Sequence, residues 1–252
     1  MFMSRLNEWQ NNRTLAYVVP LVAFMLFLGL PERLAIRNSE LSWWRHSPEH
    51  WIYPLQCLVC GALLLFWRKH YVFRPFQGFG FASVAALLGI VAWILPTYLF
   101  DLWQWDEETT PKWLHLLGFQ EREDSGFDPS FIQDSFWYGM TVAARFFRMV
   151  VIVALVEEIF WRGFLMRYLV DIDGDFWKAK FGTYTHLSFG VTLLLFMLIH
   201  SPADYLGALI YGSLAGWVAI RTKSLAACVW MHALANLLLG VFIMATKNWG
   251  LW

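Results

Sequence analysis

Residues 153–170 read VALVEEIFWRGFLMRYLV, and they set two adjacent carboxylates, Glu157 and Glu158, together with Arg162 inside an otherwise apolar run. A charged side chain at bilayer depth costs at least about 2.5–3.5 kcal/mol on insertion scales, so such groups face protein or water rather than lipid. On an α-helix Glu158 and Arg162 are i,i+4 neighbours in the favoured acid-first order, whereas Glu157 is turned about 100° away. The spacing therefore pairs one acid with the arginine and leaves Glu157 available.

Two later stretches repeat this pattern. Phe196 and His200 stand four apart in LLLFMLIHSP, and His232 and Asn236 stand four apart in VWMHALANLL. A helix needs none of these polar groups. Three apolar segments thus contribute a carboxylate, two imidazoles and a carboxamide, the groups a hydrolytic site requires. A lone histidine or asparagine in a span is often a helix-to-helix hydrogen-bonding group. Here, however, Glu157, Glu158, Arg162, His200, His232 and Asn236 are nearly all the strongly polar side chains of their segments, Asp204 and Thr192 aside, and one shared polar cavity explains them most economically.

The remainder of the chain belongs to a multi-spanning membrane protein. It is 58% hydrophobic and only 15% charged, against about 25% charged in ordinary globular chains. Apolar runs recur at residues 15–30, 51–67, 79–100, 148–170, 184–200, 203–220 and 224–245, each near the length that crosses a hydrocarbon core of about 30 Å. Arg145 and Arg148 interrupt the first part of the helical pattern that leads into 148–170, so an eighth segment, 131–147, reads as a helix lying along the interface. The expected fold is all-α, a polytopic helical bundle of seven or eight transmembrane helices around a polar cavity, formed as a single integral membrane domain over 1–252.

Several boundaries are legible. The segment 1–14 is polar and precedes a retained first span, because no small-x-small cleavage site follows it. Trp43 and Trp44 stand where interfacial aromatics sit. Gly80, Ala85, Ala86 and Gly89 mark a face for close helix packing. Residues 101–130 carry eight acids with Trp103, Trp105 and Trp113, a solvated loop with aromatics resting on the membrane surface. Asp128 and Pro129 have the chemistry of a helix start, and so do Ser201 and Pro202, which places His200 at a turn.

Zero net charge without a basic block argues against nucleic acid as a partner. Cys57 and Cys60 have CxxC spacing inside an apolar segment while Cys228 stands alone, too few thiols for a zinc site, so packing explains them. Counting lysines and arginines with the amino terminus inside gives eleven on the inner side and six outside, leaving Arg145 and Arg148 uncounted. This orientation turns His200 toward the outer face.

EEIFWR fits an EExxxR motif, FMLIH an FxxxH motif and HALAN an HxxxN motif, in that order on successive apolar segments and with Gly163 following the first. In this the chain resembles the CAAX prenyl endopeptidase and bacteriocin-processing family of intramembrane glutamic proteases, over about residues 130–245. The resemblance implies that Glu157 and His200 activate a water that attacks a peptide carbonyl, that His232 and Asn236 stabilise the oxyanion, and that Glu158 and Arg162 support them. Phe196 would be a wall of the pocket. No cofactor and no metal are implied, and the partners would be the lipid bilayer and a membrane-associated protein or peptide substrate.

The amino-terminal half, with YPLQCLVCGALLLFW and the acidic tryptophan loop, is similar to the bacterial subgroup that accompanies exosortase sorting systems. That similarity implies a bacterial inner-membrane location and a sorted substrate in place of a prenylated one. Two other readings use the same residues. His200, His232 and a glutamate supply three ligands for a zinc peptidase, although no HExxH motif is present. A non-catalytic immunity or scaffold protein would keep the cluster for packing.

Overall fold

A computed structural model describes residues 2–36, 42–120, 122 and 127–252, without the side chains of 2–6, 43 and 44. The side chains of Trp43 and Trp44, and Glu121, Glu123 and Asp124 of the acidic loop, thus lie outside the described residues. The principal helices are α1 (Phe2–Asn11), α2 (Arg13–Leu28), α3 (Glu49–Phe66), α4 (Phe79–Leu102), α5 (Ser135–Tyr168), α6 (His186–Leu198), α7 (Tyr205–Thr222) and α8 (Leu225–Thr246). No strand occurs among the described residues.

Among the described residues six helical stretches are long and apolar enough to cross a membrane: Arg13–Leu34, Glu49–Phe66, Phe79–Leu102, Ser135–Tyr168, Pro202–Thr222 and Leu225–Thr246. Of the seven or eight expected, two segments do not stand as separate long spans among the described residues, for two physical reasons. The segment expected over 184–200 yields only the 13 helical residues of α6, about 20 Å at 1.5 Å per residue. The expected interfacial helix over 131–147 does not separate from the span after it, since helix runs without a break from Ser135 to Tyr168.

Arg145 and Arg148 do not interrupt that helix. Both are buried, and their guanidinium carbons lie 4.9 and 4.2 Å from the centre of the Tyr53 ring. Arg148 Nε also donates to Gln56 Oε1 at 2.6 Å, and Gln56 Nε2 donates in turn to Phe24 O at 2.7 Å. An aromatic face and a carboxamide replace the water that these cations would otherwise seek.

The helix start also moves. Asp134, not Asp128, caps α5, its carboxylate accepting from Trp137 N at 2.9 Å, while Asp128 accepts from Ser130 N within a turn. Pro129 cannot supply an amide to that turn, and six residues pass before the helix begins. Pro202 does open a helical turn, Pro202–Asp204, as expected.

The chain groups into two compact units. The first comprises Met1–Val72 and Asp128–Phe160. In it α2 packs on α3, and the start of α5 packs on α3. Cys57 and Cys60 are buried in α3 and not bridged, with Cys60 Sγ 3.8 Å from Pro20 O.

The second comprises Phe73–Phe127 and Trp161–Trp252, and is built on α4, which packs against α7 and α8 while α6 packs against α7. Glycines set the approach of these helices. A methyl group at Gly89 would stand 2.8 Å from Tyr211 Cδ2, one at Gly207 3.0 Å from the Trp93 ring, and one at Gly212 3.0 Å from Phe196 Cδ1. Gly80, expected on the same packing face, is exposed with nothing within 4 Å of an added methyl.

Candidate functional site

The EExxxR motif lies on α5, but its backbone is not uniformly α. Ala154–Glu158 is α-helical, whereas Ile159–Leu165 takes the wider i→i+5 bonding of a π-helix, as does Arg148–Val153 before it. The α-helical i,i+4 spacing used to pair Glu158 with Arg162 does not hold through that turn, whereas Glu157 and Glu158 keep their α-helical separation. Wide turns of this kind concentrate at functional sites.

In the first unit Glu157 and Glu158 are both buried on the α-helical segment. Glu157 Oε2 has no hydrogen-bond partner among the described residues. A carboxylate oxygen held without a partner is costly, and such atoms call for a bound group or a chemical role.

The second unit holds the other candidates. Arg162 is 2% exposed; its Nη2 donates to Gly212 O at 3.4 Å and its guanidinium carbon lies 5.1 Å from the centre of the Phe196 ring. Phe196 thus presents its ring face to the buried cation. Its carbonyl oxygen also accepts from His200 Nδ1 at 2.7 Å, and the two rings stand 4.7 Å apart.

That bond fixes the imidazole. A carbonyl oxygen can only accept, so Nδ1 carries the proton and Nε2 presents its lone pair in the neutral ring. The half-buried His200 sits just past the end of α6, at the turn, where its side chain can reach back to a carbonyl four residues earlier.

His232 is buried on α8, and the half-buried Asn236 follows one turn later. His232 meets the Tyr211 ring edge-on, centroids 5.6 Å apart. Tyr211 also stacks with Phe196 at 6.1 Å and meets Trp93 at 6.1 Å, while Trp93 meets the His200 ring at 5.2 Å. Within this unit, then, a continuous set of rings joins the two histidines of the FxxxH and HxxxN motifs. Tyr211 and Trp93 were missed in the sequence. Their signal was faint, large aromatic rings placed close to Gly207, Gly212 and Gly89 in two small-residue helices.

A narrow crevice of about 10 Å³, barely room for one water, opens beside Arg162, lined also by Met166, Phe189, Thr192 and Leu193 and by Gly212 and Gly216. It reaches neither histidine. Thr192 Oγ1 is buried and without a partner among the described residues.

The turn that follows His200 is held from above. Arg122 Nη2 pairs with Asp204 Oδ1 at 2.7 Å and donates to Ala203 O at 3.2 Å, and its Nε donates to Thr97 Oγ1 at 3.1 Å. Gly118, at φ +86°, lets the same loop rest on Ala203, whose oxygen would lie 2.6 Å from an added methyl.

Within neither unit do three His, Cys, Asp or Glu side chains gather as a metal-ligand set among the described residues. Comparison with proteins of curated function and with solved structures gave no significant match. Residues 139–238, which include all three motifs, match the sequence profile described as Type II CAAX prenyl endopeptidase Rce1-like.

Proposed function

We propose that the chain is an endopeptidase that hydrolyses a peptide bond of a membrane-associated protein or peptide by a glutamate- and histidine-activated water. The observation that carries this reading is the placement of His200 and His232 in one aromatic cluster, inside the 139–238 stretch that matches the endopeptidase profile.

In the proposed reaction Glu157 takes a proton from water while His200 Nε2 orients that water. The water oxygen forms a bond to the peptide carbonyl carbon, and the carbonyl electron pair becomes an oxyanion. His232 and Asn236 donate to it; in a dry site one such donor is worth about 3–4 kcal/mol of barrier. Collapse breaks the C–N bond, and Glu157 returns its proton to the leaving amine. Glu158 and Arg162 act as support.

The proposed location is a bacterial inner membrane. The link to an exosortase sorting system rests on the amino-terminal half, which lies outside the 139–238 match.

The test compares substrate processing in cells carrying wild type, Glu157→Gln and His200→Ala, with the amount of each protein measured. Loss of processing at normal abundance in both variants is expected. Unchanged processing in either one overturns the mechanism.

A further inference from the structure

The first unit carries a groove that the peptidase reading does not use. About 780 Å³ in volume, it is lined by Gln10, Ala62, Leu65, Phe66, Arg68 and Lys69. Its lower part is apolar and its upper part cationic, and each part has a cause in the fold.

The apolar part is the outward face of α3 at Ala62 and Leu65, and Leu58 continues that face one turn beyond the groove. Leu58, Ala62 and Leu65, spaced i, i+4 and i+7, form one exposed column, with Leu58 71% and Leu65 68% exposed. The column ends where α3 ends, at Phe66, and Trp67 turns inward to donate from Nε1 to Trp9 O at 2.9 Å. His70 Nε2 makes a second bond to this helix end at Gln10 O, 2.7 Å away. The last carbonyls of a helix lack intrahelical partners, so these side chains close the end of α1.

That closure turns Arg68 and Lys69 outward. Both are exposed, and neither is paired with a carboxylate among the described residues. Lys69 Nζ donates to Asn11 Oδ1 at 2.7 Å, which fixes its ammonium beside the groove. From Leu58 to Arg68 the rise is roughly 15 Å, enough for the upper half of an acyl chain beneath a headgroup.

We infer that this groove binds an anionic phospholipid, its phosphate against Arg68 and Lys69 and an acyl chain along Leu58, Ala62 and Leu65. An acyl chain fits the apolar column, and a negative headgroup supplies the charge that the two cations lack. The count of basic residues that favours an inner amino terminus also puts residues 68 and 69 on the inner side, where anionic lipid draws basic segments.

The test uses the purified full chain in detergent, titrated separately with dioleoylphosphatidylglycerol, dioleoylphosphatidylcholine and inorganic phosphate, with bound lipid counted by native mass spectrometry. Near an anionic lipid each cation contributes about fivefold in affinity. Phosphatidylglycerol should bind at least tenfold more tightly than phosphatidylcholine, a margin of about 1.4 kcal/mol. The double variant Arg68→Gln, Lys69→Gln should lose about 25-fold, and Lys180→Gln, in the other unit, should lose nothing.

Ala62→Trp fills the exposed groove while leaving both cations in place, so it should weaken lipid binding without changing the melting temperature of the lipid-free protein. Equal binding of the two lipids overturns the inference, as does wild-type affinity in both variants or displacement of the lipid by millimolar inorganic phosphate. Binding by a second copy of the chain in place of lipid would do so too.

Discussion

The Tyr211 ring stands edge-on to His232, 5.6 Å between centroids, and stacks on the Phe196 ring that lies against His200. One buried phenol thus touches the neighbourhood of two motifs that are 36 residues apart in sequence. If its ring positions the histidines, Tyr211→Phe should keep most of the processing activity, whereas Tyr211→Ala should lose at least tenfold. An aromatic truncation in a core costs about 3–5 kcal/mol, so the alanine variant should also melt earlier. The decisive comparison is activity per folded molecule. Full activity in folded Tyr211→Ala would reject the positioning role.

Arg162 is held by Phe196 and Gly212, and Glu158, four residues earlier in sequence, is 0% exposed. Removing a charged group from a fully buried site leaves its neighbours unsatisfied, at about 1–3 kcal/mol and more where those neighbours are charged. Glu158→Gln should therefore reduce abundance along with activity, unlike Glu157→Gln. Arg162→Lys keeps the charge but loses the planar stack and is expected to lower the melting temperature. Thermal denaturation followed by tryptophan fluorescence reads both.

Gly212 has no room for a side chain. A methyl group there would lie 2.8 Å from Leu193 Cδ1 and 3.0 Å from Phe196 Cδ1. Overpacking of this kind costs about 1–3 kcal/mol, so Gly212→Ala should destabilise the protein and shift Phe196 with it. Gly80→Ala, with open space around it, should change stability by less than about 0.5 kcal/mol. A melting curve of each variant checks the contrast.

The Arg122–Asp204 pair is mostly shielded, with side chains 9% and 17% exposed, and it joins the loop after α4 to the turn after His200. Hydrogen bonds to charged groups are worth about 1.5–3 kcal/mol. Arg122→Ala and Asp204→Ala should each lower stability by about that amount and reduce processing. The double variant should cost little more than either single one, since both remove the same contact. Additive losses would mean the two residues act separately.

Processing should persist after exhaustive chelation and should not rise when zinc is restored. Metal analysis of the active protein accompanies the assay. Activity that vanishes with the metal and returns with it would move the mechanism to the zinc version.

The sequence by itself determined a great deal. Apolar length identified five of the six long apolar helices among the described residues to within about four residues at each end, because a helix in hydrocarbon must satisfy its backbone internally over a fixed thickness. Buried polar groups stood out against the apolar background for the same reason, and the three motifs fall within the 139–238 match.

What only the tertiary structure decided depends on neighbours far away in the chain. Arg145 and Arg148 read as breaks until Tyr53 and Gln56 supplied their partners. The π-helical turn carrying Arg162 leaves no mark in residue spacing. Tyr211 and Trp93 became visible only when Gly89, Gly207 and Gly212 let three helices close around them. Periodicity records which face of a helix is apolar. It does not record which ring fills the groove opposite a glycine, since that contact is set by the crossing of two helices rather than by either one.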